Sequence, residues 1–387
     1  MFLYALLAIL ILAGLTASVL IFIRWEANRK RSLSMTFLKI KIPKKESKED
    51  REQDSEAQGS QRDFKETLGV MKQFFESLAS IEDHTWRRHF FGNDFMSCEY
   101  KIQNNLIDFY LVVPHHLVNI VEKQITAFYP DCYIEEEPDY NLFQKDSKAA
   151  YCYFTTAKNY SYPFRTYQRM TTDPLNNIAN VLSKLEPYES AAIQIMMRPV
   201  HNHWQHKGRK LAKSVMEDKH EGFLHGFNPL SWLGDMLSIL FRGEAGKEHE
   251  AGGSRTTPLI DEQVKAIEEK NSKPGYDVII RIVASSPSMK QARMHMVNIR
   301  NGFAQYTFSN LNYFVYTKYH LVSRLIRSFI YRSPHRNFLQ WIRFFIGQWR
   351  MILSSEELAS LFHLPNIRYN PSAHIAWQNF KIAPAPA

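Results

Sequence analysis

MSCEYKIQ from Met96 to Gln103, Asn104-Asn105, and LIDFYLVV from Leu106 to Val113 decide the fold of this chain. Two extended runs flank a pair of residues that tolerate positive φ, the backbone requirement of a two-residue hairpin turn. Pro114 then stops the second run. Upstream, Phe37 to Pro43 alternates Leu38, Ile40 and Ile42 with Lys39 and Lys41, the pattern of a half-buried strand. Between that strand and the hairpin, Phe64, Leu68, Met71, Phe75, Leu78 and Ile81 recur at helical spacing behind a capping Asp63. Downstream, Leu117, Val121, Gln124, Ile125 and Phe128 line a second helix that ends before Pro130, and Cys132 to Glu136 alternates again. The order β-α-β-β-α-β predicts an α+β fold whose first domain, residues 36–145, is ferredoxin-like. A mixed-charge run over 44–62 buries too little apolar surface to order itself and reads as a flexible insertion.

The pattern returns over 146–354. Ala149 to Thr156 reads as a strand. Asp173 caps a helix with Pro174 in its first turn and Leu175, Ile178, Leu182 and Leu185 on its buried face, and Ala191 to Met197 is the strand that follows. Ile260, Val264 and Ile267 mark a helix ended by Pro274-Gly275. Val278 to Ala284 is a strand, apolar except for Arg281, and Ala292, Met296, Ile299, Phe303 and Tyr306 line one more helix. A second ferredoxin-like domain with a long insertion at 201–256 is the simplest packing. The insertion opens with basic Lys207, Arg209, Lys210 and Lys213. It continues into an apolar stretch, with Trp232, Leu233, Leu237 and Phe241 as expected membrane contacts; the same pattern also suits a helix docked on the second domain.

Residues 1–23 contain no Asp, Glu, Lys, Arg or His, and Arg24, Arg29, Lys30 and Arg31 follow at once. As a helix this stretch reaches roughly 33 Å, enough for a hydrocarbon core of ~30 Å. The cations on its downstream flank, residues 24–35, predict a single pass through the inner (cytoplasmic) membrane with the N-terminus outside. A cleaved signal peptide would instead carry a basic leading region and a shorter apolar core.

The net charge of +9 is concentrated in one region: no acidic residue lies between Asp277 and Glu356. Arg324, Arg327, Arg332, Arg336, Arg343 and Arg350 in that acid-free region, 278–355, are the expected contacts for phosphates of nucleic acid or lipid. The aromatic neighbours Tyr331, Phe338, Trp341, Phe344, Phe345 and Trp349 suit base stacking, a membrane interface or simple core packing.

Catalytic patterns are not apparent. Cys98, Cys132 and Cys152 are an odd set without C-x-x-C spacing and read as buried filler. His201, His203 and His206 make an H-x-H-x-x-H cluster, the basis of a metal-hydrolase alternative, but no carboxylate accompanies them at metal-site spacing. Gly246-Lys247-Glu248 lacks the first glycine and the Ser/Thr of a phosphate-binding loop. The expectation is therefore a non-enzyme with no catalytic residue, metal or cofactor.

Three phrases carry a family resemblance: Asp173-Pro174-Leu175-Asn176-Asn177 through Leu182-Ser183-Lys184-Leu185-Glu186-Pro187, Ser272-Lys273-Pro274-Gly275-Tyr276-Asp277-Val278, and Ser355 through Asn366, which contains Leu361-Phe362-His363-Leu364-Pro365. Together they resemble the N-terminal half of TraG/TraD-like conjugation ATPases of type IV secretion, in which a membrane segment and plait-like domains precede a RecA-like motor. In that family the last phrase leads through a proline-rich joint into the motor, whereas here Ala383-Pro384-Ala385-Pro386-Ala387 follows. The resemblance implies either a membrane-anchored subunit that docks a separate P-loop ATPase through segment 355–387, with Leu358, Leu361, Phe362, His363 and Pro365 as contacts, or a fragment or degenerate relative of that family. It leaves open a homo-oligomer and, as the alternative, a tethered nucleic-acid binder.

Overall fold

The computed structural model describes residues 2–44, 64–81, 90–216, 258–308, 310–317, 322–333 and 351–378. The first half contains α1 (Phe2–Leu33), β1 (Met35–Lys41), α2 (Phe64–Ala79), β2 (Met96–Gln103), β3 (Leu106–Pro114), α3 (Val118–Phe128) and β4 (Tyr133–Glu137). The second contains β5 (Lys148–Thr156), α4 (Pro174–Leu182), β6 (Ser190–Val200), α5 (His203–Met216), α6 (Pro258–Asn271), β7 (Gly275–Ser286), α7 (Met289–Gly302), β8 (Phe314–Thr317), α8 (Val322–Ile330), β9 (Met351–Ser354) and α9 (Ser355–Leu361).

The strands make one antiparallel sheet in the order β4-β1-β3-β2-β6-β7-β5-β8, and β9 pairs with β7. The hairpin turn between β2 and β3 has φ of 52° at Asn104 and 61° at Asn105, both left-handed, which matches the right-handed twist of the flanking strands. The two halves join edge to edge where β2 pairs with β6, from Met96 opposite Met197 to Gln103 opposite Ser190. A hydrophobic core runs under both halves, from Leu38 and Phe75 to Ile178 and Ile299, with no break at the join.

Side-chain alternation sorts the sheet into two unlike faces. Cys98, Tyr100 and Ile102 of β2, Ile193 and Ile195 of β6, and Ile280 and Ile282 of β7 point into that core, against α2, α3, α4, α7 and α9. On the opposite face, Glu135, Lys39, Tyr110, Glu99, Gln194, Arg281, Tyr153 and Thr317 stand directly across from one another, one from each strand of the path. α5 and α6 pack on each other so closely that a Cβ on Gly208 would lie 2.0 Å from the Asn271 side chain.

The second strand of each half was legible, but β8 and β9 were not. Both are four residues long, too short for a period to show. The expected flexible insertion and the apolar residues Trp232, Leu233, Leu237 and Phe241 lie outside the described residues. In α1 the side chains of 2, 3, 5–10, 13 and 17 lie outside them too. Among the described residues no helix is long and apolar enough to cross a membrane.

Candidate functional site

The three phrases singled out in the sequence meet in space. α9 begins with a capping box: Ser354 Oγ accepts the Glu357 N–H at 3.3 Å while Glu357 Oε2 accepts the Ser354 N–H at 2.9 Å. Glu357 also accepts from Phe164 N at 2.7 Å and pairs with the buried Lys270 at 3.0 Å, and Lys273 bonds Glu356. The middle phrase is thereby tied to the last. At the other end of α9, His363 Nε2 lies 2.8 Å from Asp173 Oδ1, the N-cap carboxylate of α4, while His363 Nδ1 faces Ala359 O at 3.0 Å. A carbonyl only accepts, so Nδ1 carries a proton, and Nε2 points at a carboxylate. Both ring nitrogens are engaged, which leaves neither to take a proton from a nucleophile. Burial pushes the Asp173 carboxyl up, but the His363 charge and the hydrogen bonds from His363 and Leu175 N outweigh it and hold it below its ordinary range.

Leu358, Leu361, Phe362, His363 and Pro365 are all interior. Phe362 packs against Tyr100 with ring centroids 4.9 Å apart, at the centre of the main core. This corrects their assignment as partner contacts: an apolar, helix-capped run after a strand signals docking and core packing alike in sequence, and here the surface covered is the chain's own sheet.

The other sheet face carries the charges. Glu99, fully buried, receives Arg332 Nε at 2.9 Å, Arg332 Nη2 at 3.0 Å, Gln194 Nε2 at 3.0 Å, Ser97 Oγ at 2.7 Å and Tyr140 OH at 2.5 Å. Burial alone would raise its pKa; the Arg332 charge and these hydrogen bonds lower it instead. Arg332 has φ of 45°, lies over the Phe37 ring at 4.2 Å and also pairs with Asp139 at 3.1 Å. Beside it, Arg281 donates Nη1 to Gln194 Oε1 at 3.1 Å and to Ser328 O at 2.7 Å, fastening the end of α8 to the sheet. Further along the face, Lys39 bridges Asp108 and Glu137, each at 3.1 Å, and Lys101 reaches Asp108 at 3.2 Å. Opposite charges alternate across the strands and neutralise one another.

The acid-free region therefore does not form one phosphate-binding surface among the described residues. Arg332 is 2% exposed and its charge is spent on Glu99, so it is not a phosphate contact. Arg327 is exposed on α8, on the charged face, whereas Lys290, Arg293 and Arg300 belong to α7 on the opposite face. Arg324 lies in α8 with its side chain outside the described residues, and Arg336, Arg343 and Arg350 lie outside them altogether. Cations adjacent in sequence are separated by the thickness of the sheet.

Among the described residues no group of three His, Cys, Asp or Glu is placed to hold a metal ion. His203 and His206 have ring centroids 6.4 Å apart on α5, and His206 Nδ1 meets Arg209 Nη2 at 3.1 Å. Cys98, Cys132 and Cys152 are buried free thiols, each raised in pKa chiefly by burial, Cys132 and Cys152 to about 12.

Sequence reasoning missed the foot of α1. Ser34 alone separates α1 from β1. Arg31 donates Nε to Asp94 Oδ1 at 2.6 Å, Nη1 to Phe91 O at 2.7 Å and Nη2 to Gly92 O at 2.9 Å, while Arg198 at the end of β6 donates to Asn28 Oδ1 at 3.0 Å. The helix is thus clamped to the segment that leads into β2 and to the end of β6. No local pattern announces this, because Arg31 reads as one more flanking cation.

No curated protein matches the chain. Residues 49–378, well over half of its length, match the family described as a domain of unknown function (DUF8128), and the chain belongs to that family.

Proposed function

We propose that this chain is a membrane-anchored, non-enzymatic scaffold built from two ferredoxin-like plaits, which seats a separate P-loop ATPase of a type IV secretion or conjugation-like apparatus at the cytoplasmic face of the inner membrane. The strand order supports the plait reading. Numbering strands within each half, β4-β1-β3-β2 and β8-β5-β7-β6 both run fourth, first, third, second, with helices after the first and third strands. The halves share their second strands as the common seam.

The observation that carries the scaffold reading is the clamped foot of α1. A flexible tether would leave the body free to tumble; three hydrogen bonds from Arg31 and one from Arg198 hold the foot of α1 against the sheet body. The charge-free run to Ile23 supports the anchor, as does its boundary: Phe22 stacks on Trp25 at 6.0 Å and Arg29 sits over Trp25 at 5.6 Å, the aromatic and cationic pairing favoured at a membrane interface. Since the Ser355 to Asn366 phrase is interior, the ATPase is expected to meet other surfaces of the sheet body.

The test is capture of the full chain from crosslinked membranes. A co-purifying P-loop ATPase supports the proposal, and its consistent absence counts against it. Binding of nucleic acid by the acid-free region would show instead as duplex capture that weakens steeply with salt.

A further inference from the structure

We infer that the exposed face of α5 is a second membrane contact, a strip of cations that seats on anionic phospholipid head groups beside the foot of α1; this rests on the membrane-anchored reading above. Within His203–Met216 there is no acidic residue. Trp204, Gly208 and Ala212 recur every four residues and are buried, which turns His206, Lys210 and Lys213 outward with Lys207 and Arg209 beside them, all exposed. Among the described residues no carboxylate lies within ion-pair distance of Lys207, Arg209 or Lys210. The partner helix α6 is fixed to the body instead, through Lys270 to Glu357 and Arg169 to Glu262.

Position selects the partner. Arg198, which bonds Asn28 of α1, lies two residues before the end of β6, and α5 starts three residues after that end. Asn28 is five residues beyond the last residue of the charge-free run, about 8 Å along a helix at 1.5 Å per residue. That is head-group depth, and five residues of chain join Arg198 to the start of α5. A like-charged strip held there attracts an anionic leaflet, and its cations suit phosphate oxygens.

The experiment uses the full chain reconstituted in vesicles, with a fluorophore on Met216→Cys. Met216 is 52% exposed at the end of α5, whereas the three native thiols are buried and unreactive. Lipid carrying a quencher on its head group reports proximity, in phosphatidylcholine with and without phosphatidylglycerol. The expected result is quenching about twofold or more stronger with phosphatidylglycerol at low salt, reduced by Lys207→Gln/Arg209→Gln/Lys210→Gln and abolished by the corresponding changes to Glu. Quenching indifferent to lipid charge and to these substitutions overturns the inference, as does a charge-dependent response to added duplex DNA with none to phosphatidylglycerol. Flotation separates the two readings. A chain that floats with both vesicle types while the label stays silent loses only this contact, whereas a chain that floats with neither loses the anchor as well.

Discussion

Arg332 and Glu99, 233 residues apart in the chain, form a parallel two-pronged ion pair in the interior, Nε to Oε1 at 2.9 Å and Nη2 to Oε2 at 3.0 Å. It joins the turn after α8 to β2, the strand at which the first half meets the second. Removing one partner leaves the other charged, buried and unpaired, so Arg332→Ala is expected to cost about 3–5 kcal/mol. Replacing both, as Arg332→Met with Glu99→Leu, should recover most of that loss. Urea unfolding of the full chain in detergent, followed by circular dichroism, measures both, and a loss under about 1 kcal/mol for Arg332→Ala would show that the pair does not hold this face.

Acid should weaken the fold by way of the same carboxylate. The folded pKa values of Glu99 and Asp173 lie below their ordinary values of 4.5 and 3.8, so the unfolded chain takes up these protons first as pH falls. Their stabilisation is complete above about pH 5 and drains away as pH drops through the unfolded values toward the folded ones. Glu99→Gln is expected to flatten the acid limb of a stability-versus-pH curve while lowering its plateau. An unchanged limb would exclude Glu99 as its source.

Asp173 has two tasks, accepting the Leu175 N–H at 2.8 Å as the cap of α4 and facing His363. Asp173→Ala removes a cap worth about 1 kcal/mol and strands a buried imidazole at a further 1–3 kcal/mol. Asp173→Asn keeps the cap and should cost about half as much. Equal losses in the two variants, by the same unfolding assay, would mean that the His363 pairing carries the whole effect.

The hairpin turn gives a sharper substitution test. Asn104→Val forces a β-branched residue to φ of 52° and is expected to cost about 1–2 kcal/mol, whereas Asn104→Gly should change stability by no more than about 0.5 kcal/mol. Similar unfolding midpoints for the two would rule out a left-handed turn.

Much of this architecture was legible locally. Asn104-Asn105 between two extended runs specified a hairpin, and the spacing of Leu68, Met71 and Phe75 specified a helix with one buried face. Asp173 with Pro174 marked the start of α4 to the residue. The candidate contacts were harder. Arg327 and Arg332 are five residues apart and equally basic, yet one is exposed and the other lies under Tyr140 and Phe37. Glu99 and Asp139, both far away in the chain, make the burial of Arg332 affordable.

Sequence by itself determined where most of the longer strands and helices lie and which side of each is apolar, because periods of 2 and 3.6 residues and turn chemistry are properties of a few neighbouring residues. Tertiary structure alone decided that β2 joins β6 into one sheet, that Leu358 to Pro365 fills the chain's own core, and that Arg31 clamps α1 to the body. Each of these depends on a partner tens to hundreds of residues distant. An apolar face must be covered and a buried charge must be paired, but neither requirement names the residue that meets it.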